Sequence, residues 1–186
     1  MSRREQILAI AAGLFATRGF HGVSVAELGA ACGISGPALY KHFPSKDAML
    51  AEMLVSISEE LLRVGLERSS GEPDPHRALA ALVDWHVEFA LTNKPLIVVQ
   101  DRDWASLPPE ARERVRVLQR RYVDLWAERM REAEPGLGLA EAGARAHACF
   151  GLINSTPHSA RLPEPEMRAM LTSMAIRALG VVTPAT

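Results

Sequence analysis

The sequence predicts an all-α protein, and three observations carry that expectation. Hydrophobic residues make up 48% of the 186 residues, ample for a packed core. Aromatics are only 5%, and the alternating β-branched runs that mark strands are almost absent. Apolar residues instead recur at helical spacing between cap residues and Gly or Pro breakers. About nine helices follow from that pattern. They divide into a three-helix head at residues 1–46 and a larger helical domain at residues 47–186, with a long helix at about 45–70 connecting them.

Helix 1 is expected from about Arg3 to Arg18, with Ile7, Leu8, Ala11, Leu14 and Phe15 on one face. Gly19 stops it, and Phe20-His21-Gly22 links onward. Ser24 and Glu27 form the S-x-x-E pattern of a capping box, with Val23 and Leu28 placed to staple it. Helix 2 then covers about Val25 to Cys32, and Gly33 supplies the positive φ that a sharp turn requires. Ser35 caps helix 3, about Gly36 to His42, with Pro37 in its first turn, where a missing N–H costs little. Two short helices around a glycine turn, the second ending in Tyr-Lys-His, make a helix-turn-helix. That motif reads DNA.

Helix 4 starts at Ser45, with Asp47 against the positive end of its dipole. Leu50, Met53, Leu54, Ile57, Leu61 and Leu62 are its apolar positions, and the breaker Ser-Ser-Gly-Glu-Pro-Asp-Pro ends it near Ser70. Helix 5, His76 to Asn93, carries Leu79, Leu82, Val83, His86, Phe89 and Ala90 on one face. The run Leu96–Gln100 could pass for a buried strand, but no partner strand exists, so it reads as helix 6 continuing to about Trp104. Pro108-Pro109-Glu110 opens helix 7, with Val115, Leu118, Tyr122, Leu125 and Trp126 on one face, and Pro135-Gly136 stops it. Helix 8 spans about Ala140 to Asn154, a loop Thr156–Pro165, and helix 9 about Glu166 to Gly180. The tail Thr183–Thr186 is expected to fray.

Charge and motifs narrow the function classes. Net charge is −1, yet residues 1–50 hold five Lys/Arg against three Asp/Glu and the rest sixteen against nineteen. That asymmetry agrees with a DNA-facing N-terminus. Cys32 and Cys149 cannot build a disulfide framework and lack metal-ligand spacing. The start MSRREQIL has no apolar leader core, and no run reaches transmembrane length, so a soluble, cytoplasmic protein is expected. There is no G-x-S-x-G, no phosphate-binding glycine loop and no H-E-x-x-H, and His147 and Cys149 fall on different helix faces. No enzyme activity, catalytic residue, cofactor or metal site is therefore expected.

Residues of about 5–52 closely resemble the N-terminal domain of the tetracycline-repressor (TetR) family of transcriptional regulators. The matching features are Leu14-Phe15…Gly19-Phe20, then Ser24-Val25…Leu28…Ala31…Gly33-Ile34-Ser35, then Leu39-Tyr40…His42-Phe43…Lys46. The resemblance implies that Tyr40, His42 and Lys46 grip the DNA backbone, where hydroxyl, imidazole and ammonium can each donate to phosphate. Ser24 and Ser35, at helix starts, join that interface, Ser24 as a phosphate contact. Gly36, Ala38 and Lys41 lie where helix 3 reaches base edges. Lys41 can donate to guanine O6 and N7, and Ala38 offers an apolar contact such as a thymine methyl.

The resemblance further implies a homodimer through helices 8 and 9 on a palindromic operator of double-stranded DNA, released by a small-molecule effector. Helix 8 is rich in Ala142, Gly143, Ala146, Ala148 and Gly151, and helix 9 offers Met167, Met170, Leu171, Met174 and Leu179. Effector-binding candidates are Trp85, His86, Phe89, Trp104, Tyr122, Trp126, Phe150 and Asn154, each of which also fits a core position. Few charges fall on the inward faces, so the expected effector is mostly apolar with one or two polar anchors. The stretch Asp101–Glu110 resembles actinobacterial regulators of lipid metabolism, which implies an acyl-type or other hydrophobic effector. The expectation is a repressor. The alternative is a helical ligand-binding or interaction module without DNA-binding activity.

Overall fold

A computed structural model describes residues 2–180, and its described residues contain helices and no strand. The helices are α1 (Arg3–Arg18), α2 (Val25–Ala31), α3 (Gly36–Leu39), α4 (Lys46–Ser70), α5 (Pro75–Thr92), α6 (Lys94–Asp103), α7 (Pro109–Ala133), α8 (Leu139–Ile153), α9 (Thr156–Ser159) and α10 (Glu164–Ala178). All nine expected helices are present. The segment expected to be a loop after α8 adds one helical turn, α9, in which Ser159 N–H bonds back to Ser155 O at 3.0 Å. The ninth expected helix is therefore α10. The tail Thr183–Thr186 lies outside the described residues.

Helix 3 is shorter than its pattern suggested. Only Gly36–Leu39 is α-helical, because Lys41 N–H turns to Ala38 O (3.2 Å) and His42 N–H to Leu39 O (2.9 Å). These i→i−3 bonds wind the chain tighter than an α-helix. Pro44 then disfavours helical geometry at Phe43. Tyr40, Lys41 and His42 thus form a turn that continues α3. Helix 6 likewise ends one residue early, and Trp104–Ser106 is a 3₁₀ turn.

By contact the chain forms two compact units, Met1–Ile57 with Lys94–Arg116, and Ser58–Asn93 with Val117–Thr186. The first has its own core of Ile7, Phe15, Phe20, Leu28, Leu39, Phe43, Leu50, Leu54, Val99 and Leu107. Helix α6 belongs to it because its last turn caps the end of α1. Arg102 donates to the carbonyls of Phe15 and Ala16, and the buried Asp103 carboxylate accepts the Phe20 amide at 3.3 Å. In the second unit α5 is buried along most of its length (Leu79, Leu82, Val83, His86, Ala90) and packs against α8 and α10. Thr156, in α9, is buried there and donates to Ala90 O at 3.1 Å.

Candidate functional site

The three-helix head is built by local bonds that the sequence spells out. Ser24 Oγ accepts the Glu27 amide (3.2 Å) while the Glu27 carboxylate accepts the Ser24 amide (2.8 Å) and hydroxyl (2.7 Å). Those bonds from Ser24, with Arg18 beside them, draw the Glu27 carboxyl down to about 2. At the other end of α2, Ile34 N–H bonds to Gly29 O (2.9 Å) and Gly33 N–H to Ala30 O (3.0 Å), with Gly33 at φ +67°. This pair is a Schellman stop. Ser35 Oγ then accepts the Ala38 amide at 3.2 Å and starts α3.

How closely α3 approaches α2 depends on a residue that sequence reasoning passed over. A Cβ on Gly29 would lie 2.8 Å from the Gly36 amide nitrogen and 2.9 Å from Ile34 O. Both are backbone atoms, so neither can move aside. By contrast a Cβ on Gly36 would meet ordinary contacts, the nearest 3.7 Å from Ala26 Cα. A glycine inside an otherwise good helix pattern was the available signal.

The candidate DNA-contact residues fall into two groups. Tyr40 is 54% exposed although it is aromatic, and Lys41, Ser24 and Ser35 are exposed beside half-buried Gly36, Ala38 and His42. Lys46 differs. Its ammonium donates to the carbonyls of Phe20 (2.7 Å) and Val23 (2.8 Å) and sits 4.4 Å from the centre of the Phe20 ring. Two of its three donors hold the link between α1 and α2, leaving one for any phosphate.

In the second unit, six of the eight effector candidates converge. His86 is fully buried and stacks on Phe150 (centroids 4.7 Å, planes 12° apart) and on Tyr122 (5.7 Å). Trp126 meets Phe150 edge-on at 5.0 Å, and Phe89 lies 6.1 Å from His86. His86 Nε2 is 3.1 Å from Asn154 Oδ1. Burial pushes the imidazole down to about 4, against a smaller opposing effect of the Asn154 bond, so the ring is neutral. Nε2–H then donates to Asn154, and Nδ1 is left as a bare acceptor. Among the described residues, His86 Nδ1 is buried without a hydrogen-bond partner, while Tyr122 Oη and Trp126 Nε1, also buried, have no partner beyond each other. Burial also raises the Tyr122 phenol, which stays protonated.

Trp85 stands at the margin of the cluster, its ring meeting Phe89 edge-on at 6.0 Å. Trp85 donates its indole N–H to Leu61 O at 3.0 Å, with Arg68 5.0 Å from its ring. Trp104 lies in the first unit, where Arg116 sits 5.7 Å from its ring. A separate cleft of about 340 Å3, lined in part by His76, Leu79, Met130 and Leu179, contains none of the expected effector residues. No group of three or more His, Cys, Asp or Glu side chains among the described residues could hold a metal ion.

The family model for bacterial regulatory proteins of the tetR family matches residues 7–53, and that for a tetracyclin repressor-like C-terminal domain matches residues 72–158. The chain belongs to the TetR family. The TetR assignment is accompanied by sequence similarity to the HTH-type transcriptional repressor KstR2 of Rhodococcus jostii. The two are 29% identical over 144 residues, covering 77% of this chain and 66% of that protein. The matched segments span 31% to 66% of the lengths of curated relatives such as these. Among solved structures, the TetR-family regulator PfmR of Thermus thermophilus superposes over the full length of both chains with a TM-score of 0.84 at 24% identity. AibR, solved with isovaleryl coenzyme A and operator DNA, gives 0.72 at 20% identity, covering 93% of this chain and 97% of AibR. Both share the TetR fold.

Proposed function

We propose that this chain is a DNA-binding transcriptional regulator, a cytoplasmic repressor that binds a palindromic operator as a dimer and is released by a small effector. The observation that carries the reading is the exposed Tyr40-Lys41 pair on the turn that continues α3. Tyr40 and His42 donate to phosphates, with the remaining Lys46 donor beside them, while Lys41 and Ala38 meet base edges. Ser24, whose amide and hydroxyl both donate to Glu27, reaches a phosphate only by releasing that carboxylate. With so short a reading element, specificity leans on half-site spacing and DNA shape as well as on base hydrogen bonds.

Dimerisation uses α8 and α10. Each of these helices has an inward face, including Ala142 and Ala146 on α8 and Met167 and Leu171 on α10. Each also has an exposed face of small or apolar residues, Ala148 and Gly151 on α8 and Met170 and Met174 on α10. The exposed set forms the contact with a second copy.

The effector occupies the aromatic cluster. The unpartnered His86 Nδ1, with the under-satisfied Tyr122 hydroxyl and Trp126 indole beside it, calls for a ligand that is mostly apolar, uncharged, and equipped with both a hydrogen-bond donor and an acceptor. Phe150, the half-buried ring of the stack, is the side chain that moves to admit it. An acyl group, as in the isovaleryl coenzyme A complexed with AibR, matches the apolar walls. Binding tilts α4, which runs on from the head, and so changes the spacing of the two heads. Only a ligand that distinguishes the two spacings can shift operator affinity.

The test selects DNA from a random pool with the full chain, then measures affinity for the winner against a panel of short acyl esters, acyl-coenzyme A compounds and phenols. A palindromic winner, released by a panel member in the wild type but not in Tyr122→Phe or His86→Phe, supports the reading. A winner that no compound releases sinks the effector part, and the absence of any winner sinks the DNA part.

A further inference from the structure

Arg4, in the first turn of α1, and Glu52, early in α4, lie 48 positions apart and meet in a paired contact. Arg4 Nε donates to Glu52 Oε1 at 2.6 Å, and one terminal nitrogen donates to Oε2. The other terminal nitrogen donates to the carbonyl oxygen of His42. The guanidinium carbon also stands 4.1 Å from the centre of the buried Phe43 ring. One planar cation therefore uses its fork on a carboxylate, its edge on a carbonyl and its face on an aromatic ring.

Stability alone is a poor reason for this arrangement. The Arg4 and Glu52 side chains are 45% and 34% exposed, and ion pairs that exposed contribute little. The contact instead fixes a direction. His42 closes the Tyr40-Lys41-His42 turn, at a helix end where carbonyls lack partners of their own, and its position sets how the turn is presented. Glu52 in turn occupies the Arg4 fork that would otherwise suit a phosphate.

We propose that Arg4 is a positioning residue for DNA recognition, oriented by Glu52, which clamps the Tyr40–His42 turn in its DNA-facing geometry without touching DNA. The proposal rests on the DNA-binding reading above. It makes an unusual sign prediction. Removing a carboxylate near a DNA-facing surface should tighten binding by charge alone, yet here Glu52→Gln weakens it, because Arg4 loses its orienting partner.

The experiment compares full-length wild type, Arg4→Lys and Glu52→Gln by two readouts. One is amide hydrogen exchange at Lys41–Phe43 without DNA. The other is affinity, across a salt series, for the duplex that the wild type selects from a random pool. Both variants should exchange faster at Lys41–Phe43 and bind about tenfold more weakly, the scale of one charge-assisted hydrogen bond. Their salt slope and thermal midpoint should stay close to wild type. Tighter binding by Glu52→Gln, or exchange unchanged in both variants, overturns the clamp. A slope reduced by about two in an Arg4→Ala control, one per head of the dimer, makes Arg4 a phosphate contact and also overturns it. If the wild type selects no duplex, the DNA-binding reading fails by itself. In that case the exchange readout still decides whether the clamp holds the turn.

Discussion

At the scale of single residues, burial decides what a side chain can do more than its type does. His86 and His42 are both histidines, but His86 is fully enclosed among rings and pushed down to about 4. Its folded value is depressed below the ordinary 6.5, so protonation favours the unfolded chain. The stabilisation is fully present above pH 6.5 and is lost as pH falls toward about 4. Over that window urea unfolding should lose up to about 3 kcal/mol, and His86→Phe should flatten the decline. An equally steep fall in the variant would show that another group is responsible. Lys46 illustrates the same point for a cation. Its sequence position resembles a phosphate grip, but two backbone carbonyls already claim two of its donors.

At the scale of elements, the caps were legible in the sequence and the crossings were not. Ser24 with Glu27, Gly33, Ser35 and Ser45 each act where the pattern placed them, since a cap is a contact over three or four residues. Gly29 is essential for a different reason, a backbone crossing between α2 and α3 that no local pattern announces. Gly29→Ala should therefore cost about 1–3 kcal/mol in thermal or urea unfolding, the range for overpacking. Gly36→Ala, with ordinary contacts around its new methyl, should stay within about 0.5 kcal/mol. Equal effects would mean that α3 can shift away from α2. The shortened α3 escaped the sequence because i→i−3 and i→i−4 bonding share nearly the same apolar spacing. Trp104 falls in the first unit, a placement that no local pattern announces. The helix before it, α6, is tied to the end of α1 by Arg102 and to Phe20 just beyond it by Asp103, over more than eighty positions of sequence.

At the scale of the whole molecule, the first unit carries the exposed Tyr40-Lys41 turn and the second a buried aromatic cluster and an exposed apolar helix face. The cluster was legible as a set, because His86, Tyr122, Trp126 and Phe150 stood on inward faces of helices 5, 7 and 8. Which of their polar atoms would lack partners was not, since that depends on ångström-scale packing. On the exposed face, Met170 and Met174 remain 38% and 40% accessible in the single chain. Met174→Glu should place a charge in the proposed dimer contact and shift sedimentation toward the monomer. Operator affinity should fall with it, because one short reading turn binds weakly alone. A Met174→Glu protein that sediments as a dimer would move the interface elsewhere.

The central claim is that the Tyr40–His42 turn reads DNA, and salt dependence tests it most directly. Affinity is measured from 50 to 200 mM salt for wild type and Lys41→Ala, on the selected duplex and on a scrambled one. Four cations in a dimer, Lys41 and Lys46 from each head, should cost about a hundredfold in affinity over that range. Lys41→Ala should flatten the slope and erase much of the preference for the selected duplex. Binding that ignores salt, or a preference that survives Lys41→Ala intact, would contradict the account.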